Sequence, residues 1–247
     1  DFYLKSGIGL WLLSKNPMNV STNLPSVILS SDFTHSISLH SGWNIISNPF
    51  EITVNWSQLQ VINSLAQNQL LYSWNGSWSN PSEMLPYEAY YFNNSGNISS
   101  LKIPYDPISL NSLNKKNSYV HNVPNILGML SIQISAKDGN EKSEIGIGIN
   151  PSSKNGFDEL DYYCAPGDFE KTKISLVRDE LPKRDRYLFI EQRPEIGEGQ
   201  EYNIEIKCPP NEVTELKVNG LENFTSQEVY LLDSRLNNLY NLKEKTN

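Results

Sequence analysis

Apolar side chains in this sequence recur at every second position over short stretches, as in Tyr202-Asn203-Ile204-Glu205-Ile206-Lys207 and Leu130-Ser131-Ile132-Gln133-Ile134. Alternation with period two buries one face of an extended strand and wets the other, and it cannot line one side of a helix. The composition points the same way, because the 247 residues include only four Ala against 29 Asn and 30 Ser. A protein of long helices would not discard its best helix former. The fold class expected is all-β, with two β-sandwich-like domains in tandem and at most one or two short helices.

In the first half the strand signals are Ile8 to Leu13, Ser36 to Leu39, Trp43 to Ser47, Leu70 to Trp74, Ala89 to Phe92 and Leu101 to Ile103, each ended by Gly, Pro or Asn. Asn75-Gly76 between Tyr72-Ser73-Trp74 and Ser77-Trp78 predicts a hairpin on a two-residue type I′ turn. One helix is expected from Trp56 to Gln67, with Asn55 and Gln58 as its capping box. The second half yields seven strands: Leu130 to Ile134, Ile145 to Ile149, Lys173 to Val177, Tyr187 to Glu191, Tyr202 to Lys207, Val213 to Val218 and Val229 to Leu232. Their number and spacing suggest a sandwich.

Charge and aromatic content divide the chain. All five Trp precede residue 80, and residues 1–105 hold five acidic residues against three lysines, whereas most of the formal charge of −8 lies beyond residue 124. The boundaries expected are an aromatic-rich β domain over 1–105, a polar linker over 106–124 and an acidic, immunoglobulin-like sandwich over 125–247. The acidic balance argues against nucleic acid or an anionic membrane as partner. No run of 18 apolar residues is present, so no segment is suited to cross a bilayer as a helix. Gly7 to Leu13 can be laid over Tyr87 to Asn93 as a weak internal repeat, and the chain starts at Asp1 inside that pattern; it is expected to be a piece or a processed product of a longer protein.

Two motif groups carry a resemblance. Ile37 through Gly42-Trp43-Asn44 to Pro49-Phe50, then Trp74 to Trp78 and Leu85-Pro86-Tyr87-Glu88-Ala89-Tyr90-Tyr91, resemble a module of large exported bacterial proteins that bear a C-terminal type IX secretion sorting domain. Ile145 to Ile149, Asn155-Gly156-Phe157-Asp158-Glu159-Leu160-Asp161-Tyr162 and Val229 to Asp233 look like the segment that often follows it. Pro86 to Tyr91 lacks the two glycines of the family pattern, and the sorting domain itself is absent. The resemblance implies an extracellular or cell-surface location and no catalytic residue.

The chemistry on offer is sparse. His35 and His40 are five apart on opposite faces of a strand, and no Gly-x-Ser-x-Gly elbow accompanies the third histidine, His121. Gly146-Ile147-Gly148 and Gly7-Ile8-Gly9 lack the third glycine and the helix of a phosphate cradle, so no cofactor is expected beyond a metal ion. Asp158, Glu159 and Asp161, with Asn155 beside them and Asp168 downstream, could give calcium three or four of its six to eight oxygens; a solvated acidic loop is the alternative. Trp74 and Trp78, two strand positions flanking the turn, with Tyr87, Tyr90 or Tyr91 near them, offer flat rings to a sugar, Trp78 being the ring expected in solvent. Against this, Trp11, Trp43 and Trp74 are expected to serve the core. Cys164 and Cys208 are most simply one disulfide closing a loop of about 45 residues, worth about 3 to 4 kcal/mol, with two free thiols as the alternative. Six Asn-x-Ser/Thr sequons occur, at Asn19, Asn55, Asn75, Asn93, Asn97 and Asn223; several are expected by chance in a chain so rich in Asn and Ser, and glycosylation of Asn75 or Asn97 would confirm only export.

The function expected is that of a non-catalytic structural, adhesive or assembly module of a larger exported surface protein, with self-association or other surface proteins as partners. The alternatives are a polysaccharide-binding accessory domain and the non-catalytic tail of an exported hydrolase.

Overall fold

The computed structural model describes residues 4–12, 14–17, 19, 21, 26–105, 129–136, 142–167, 169–183, 185–195, 199–210 and 214–244. The fold is all-β, and the chain forms two compact units, residues 1–121 and 122–247. The linker expected at 106–124, Asp168 and His121 lie outside the described residues.

The first unit contains β1 (Thr34–Ser38), β2 (Gly42–Ser47), β3 (Val54–Asn55), α1 (Trp56–Ile62), β4 (Leu71–Trp74), β5 (Trp78–Ser79), β6 (Glu83–Met84), β7 (Ala89–Asn94) and β8 (Ser100–Pro104). A four-stranded antiparallel sheet runs β2-β7-β4-β5, while β1 pairs with β8 and β3 with β6. Ile46, Leu71, Tyr90 and Phe92 of the four-stranded sheet pack with Ile37, Leu101 and Ile103 of the β1–β8 pair and with Trp56 and Leu59 of α1. Asn55 caps α1 as its spacing predicts, accepting the Gln58 N–H. The helix is shorter than expected because Asn63 and Ser64 end it, Ser64 with a left-handed backbone at φ 52°.

Two local expectations are corrected. The β4–β5 hairpin forms, yet Trp74 lies opposite Trp78, so the connection has three residues; Gly76 takes φ 103° while Asn75 stays outside the left-handed region. A two-residue type I′ turn would need positive φ at both. Ile8 to Leu12 is no full strand: it touches β2 through one antiparallel bridge, Ile8 to Ile46, with Gly9 donating to Ile45 O at 3.0 Å and Ser47 donating to Gly7 O at 2.9 Å. Leu13 is outside the described residues. Gly9 permits this approach, since a Cβ there would stand 2.7 Å from the Ala89 Cβ.

The second unit contains β9 (Leu130–Ala136), β10 (Lys142–Ile149), β11 (Tyr162–Tyr163), β12 (Lys173–Val177), β13 (Tyr187–Arg193), β14 (Asn203–Lys207), β15 (Thr214–Asn219), β16 (Tyr230–Asp233) and β17 (Asn238–Asn241). Its main sheet runs β14-β12-β13-β10-β9-β15, with β11 also on β13. Only β10 and β13 are parallel, and the chain between them supplies β11 and β12 as the crossover such a pair requires. The Ser143 side chain ties β10 to β12 across the curl, its Oγ accepting the Ile174 N–H at 3.1 Å. In β9 every second residue is buried, Leu130, Ile132, Ile134 and Ala136, as the alternation demands. Beyond a 3₁₀ turn at Leu221–Phe224, β16 and β17 form a hairpin of their own.

The disulfide does not form. Cys164 is buried and Cys208 exposed, both as free thiols. The Cys164 N–H bonds to Tyr187 O of β13, whereas Cys208 follows β14, and β12 lies between those two strands. Two inter-strand steps separate by about 10 Å, and a disulfide needs Cα atoms within about 7 Å. Burial pushes the Cys164 thiol up to about 12.

Candidate functional site: an aromatic cleft in the first unit

On β7, Tyr90 and Phe92 point into the core and Ala89 and Tyr91 to the opposite face. The register aligns Tyr91 with Ile45 of β2 and Tyr72 of β4, and Trp74 stands two positions along from Tyr72. Residues that share a strand face at these positions form one surface. That surface is aromatic: Trp43 meets Tyr72 edge-on at 5.3 Å between ring centroids, Trp74 meets Trp78 at 5.2 Å, and Trp78 meets Tyr91 edge-on at 5.4 Å.

The Gly7–Leu12 segment adds the last ring. Trp11 lies beside Tyr91, 6.4 Å between centroids, and its Nε1–H donates to the Tyr91 hydroxyl. Between Trp11 and Trp74 opens a cleft of about 330 Å³, floored by Ile45 and Ala89 and lined further by Leu10, Ser73, Asn75, Glu88 and Tyr91. Glu88, just before β7, accepts a hydrogen bond from the Tyr90 hydroxyl at 3.2 Å, and that hydroxyl accepts the Leu85 N–H at 2.7 Å. The Glu88 carboxylate is thereby tied to a buried, core-facing side chain.

No protein-family model, curated protein or solved structure matches the chain. Of the rings read from the sequence, Trp74 and Tyr91 reach the cleft. Trp78 does not present a face to solvent: it is only 4% exposed, packed between Trp74 and Tyr91. Trp11, expected in the core, is 54% exposed and forms a wall instead. Tyr87 is 86% exposed, outside the cleft lining, with a left-handed backbone at φ 62°. Tyr90 belongs to the core. The signal that would have placed Trp11 was its position in the overlay of Gly7 to Leu13 on Tyr87 to Asn93, where it falls on Tyr91, the residue it touches.

In the second unit the acidic loop spends its oxygens on its own backbone. Asp158 accepts the Lys154 N–H at 2.5 Å and the Leu160 N–H at 2.8 Å, while Asp161 accepts those of Asp158 at 3.0 Å and Gln192 at 2.8 Å. Glu159 is exposed. Burial raises the Asp161 carboxyl to about 6, against the lowering effect of those two N–H donors. Among the described residues no three His, Cys, Asp or Glu side chains come together as a metal site. The Arg178 guanidinium pins the same loop, donating to Asn155 O at 2.8 Å and to Glu191 at 3.0 Å. His35 and His40 bond through Nδ1 to Ile28 O and Ser41 O, and neither lines the cleft.

Proposed function

We propose that the chain is a non-catalytic, extracellular adhesive module whose first unit holds a carbohydrate chain in the Trp11–Trp74 cleft. The single observation that carries this reading is an exposed tryptophan, Trp11, that lines an open groove together with Trp74 and Tyr91, the lining also including the polar residues Ser73, Asn75 and Glu88. Ring faces cover the apolar C–H side of a pyranose, and the polar groups meet its hydroxyls, the division of labour a binding groove uses to combine affinity with orientation. Glycoside hydrolysis takes two carboxyl groups across the scissile bond, and among the described residues the lining includes one carboxylate residue, Glu88. The resemblance to exported type IX modules supports the location.

The test is titration of the purified chain with a panel of soluble polysaccharides. Trp11→Ala and Trp74→Ala are each expected to weaken binding about tenfold, the factor that corresponds to about 1.4 kcal/mol. Trp11→Ala, at an exposed position, should leave folding intact. Unchanged affinity in both variants sinks the reading.

A second reading, assembly between copies, is favoured by the β16–β17 hairpin. Tyr230, Leu232 and Leu239 share one of its faces and are 50%, 57% and 62% exposed. Light scattering of Leu232→Glu against the parent checks it: a self-associating parent and a dispersed variant support assembly through this face.

A further inference from the structure

We infer that the outer edge of β14 is a contact between copies, pairing antiparallel with β14 of a second chain about a two-fold axis through Ile206. This surface is independent of the carbohydrate reading above. β14 ends the main sheet of the second unit, and among the described residues no strand pairs with its outer side. Along such a strand the residues that bond to the neighbour alternate with residues whose N–H and C=O face outward. Two bonds of the β12 chain decide which are which. The Ile174 N–H goes to the Ser143 Oγ of β10 at 3.1 Å, away from β14, and just past β12 the Arg178 N–H goes to Arg186 O at 2.9 Å, beside β13. Ile174 and Leu176 therefore turn their backbone groups from β14, and their register partners Ile206 and Ile204 turn theirs outward.

The side chains fit the same axis. Ile204 and Ile206 share a face with Leu176 and Ile174, which are buried, yet Ile206 is 43% exposed, so the apolar face of the sheet runs out uncovered at this edge. At the other edge Leu216 and Val218 of β15 are half-buried, which singles out β14. Glu205 and Lys207 project to the opposite face, where the Tyr187 hydroxyl donates to the Glu205 carboxylate at 3.4 Å. With the axis at Ile206, Ile206 meets the copy's Ile206, and Glu205 meets the copy's Lys207 on each side. An axis at Glu205 would oppose two carboxylates, and one at Ile204 would set Glu205 against Asn203. Of the registers centred in β14, the Ile206 axis alone gives an apolar pair on one face and two opposite-charge pairs on the other, the arrangement that stabilises cross-strand neighbours. Pro209 has no N–H to offer, so the ladder stops after Cys208 faces the copy's Ile204. A self-complementary patch of this kind closes at two copies.

The experiment is sedimentation velocity of the full chain over a concentration series, in low-salt buffer with a reductant that keeps Cys208 a thiol. The parent is expected to show a monomer–dimer equilibrium. Lys207→Glu and Glu205→Lys each set like charges opposite one another across the axis and should weaken the dimer about tenfold, a loss that shrinks as salt is added. Mixed in equal amounts, the two variants restore both pairs, because a copy with two carboxylates meets a copy with two ammonium groups. Association should then return, which also shows that both variants are folded. Ile206→Pro deletes an N–H that β12 does not use; it should abolish the dimer and leave the circular dichroism of the chain unchanged. A parent that is monomeric at every concentration overturns the inference, and so does a dimer that Ile206→Pro or both charge variants retain. If Leu232→Glu alone dissolves the dimer, the contact belongs to the β16–β17 hairpin instead. Charge variants that disperse separately and stay dispersed when mixed overturn the two-fold register.

Discussion

In the first unit the connections between strands are held by neutral amides, and in the second the corresponding work falls to buried ions. The Asn48 Nδ2 donates to Ile52 O at 2.7 Å and Met84 O at 2.9 Å while its Oδ1 accepts the Phe50 N–H at 3.0 Å. Asn94 joins His40 O and Ile98 O in the same way, and Asn63 spans from Leu59 O to both backbone groups of Lys102. In the second unit Glu191, 3% exposed, sits between Arg178 at 3.0 Å and Arg193 at 2.8 Å, and Arg193 also stacks on Tyr202 at 3.9 Å. The amides meet backbone groups, and the two arginines, besides Glu191, reach the carbonyls of Asn155 and Glu201. The two devices differ in what happens when they are cut. An amide leaves ordinary polar groups unpaired, whereas a severed ion pair leaves a charge in a place that water does not reach.

The largest expected effect breaks that comparison at its ionic end. Arg178→Ala strands the Glu191 carboxylate with Arg193 alone and frees the Asn155 carbonyl; it should cost the second unit about 3 to 5 kcal/mol. Asn48→Ala, which removes the side-chain partner of Ile52 O, Met84 O and the Phe50 N–H, should cost the first unit about 2 to 3 kcal/mol. All five tryptophans belong to the first unit. Trp fluorescence therefore reports Asn48→Ala, while the loss from Arg178→Ala appears in far-ultraviolet circular dichroism with the fluorescence transition unmoved. A fluorescence transition that follows Arg178→Ala would show that the two units unfold together.

How much of this was readable beforehand follows from the range of the interactions. Alternation is a local property, so β9, β12, β13, β14 and β15 stood in the sequence within a residue or two, and so did the Asn55 cap, while β10 begins three residues before Ile145 and the short β11 was not expected. The amide staples were not readable: nothing near Asn48 announces Met84, and the large number of Asn spoke only against long helices. The cleft was half readable. Tyr91 and Trp74 fall on one face once the β4–β7 register is known, but register is a long-range property, and the same alternation serves equally well for core rings. Trp11 was expected in the interior because burying an aromatic ring is the largest apolar contribution a small sandwich has; the segment instead makes a single bridge and leaves the ring 54% exposed. The disulfide failed for a related reason, since two cysteines in one chain say nothing of the strand that lies between them.

Asp161 and Asp32 should also respond oppositely to acid, an effect on the order of 2 kcal/mol for Asp161. Asp161 is pushed up to about 6 by burial, from an ordinary 3.8. A raised folded value means that the folded state holds its proton more tightly than the unfolded chain does. The contribution is therefore fully present below about pH 4 and lost as pH rises through about 6. In the first unit the Thr34 hydroxyl and the Lys102 ammonium hold Asp32 well below the usual carboxylate range. Its contribution has the other sign: present above about pH 4 and lost on further acidification. Urea unfolding from pH 4 to 7, read by circular dichroism, should show the second unit weakening as pH rises, and Asp161→Asn should flatten that slope. A slope that persists unchanged in Asp161→Asn would assign it to other groups.

The smallest effect separates strain from binding at Tyr87. Its side chain is 86% exposed and its backbone sits at φ 62°, a region that costs a non-glycine residue about 1 kcal/mol. Nothing in the packing of the first unit repays that cost, because the ring lies on neither the core face nor the cleft lining. Tyr87→Gly removes the steric penalty but adds the entropy of a freer unfolded chain, so the net gain should be a few tenths of a kcal/mol up to about 1 kcal/mol. Binding by the Trp11–Trp74 cleft should be the same in the variant and the parent. A stabilised variant with unchanged affinity leaves the cleft as the binding element and Tyr87 as a strained turn residue. A variant that is stabilised and loses affinity would extend the site past Glu88 onto the turn before β7, and the strain at Tyr87 would then be what holds a ring out toward the ligand.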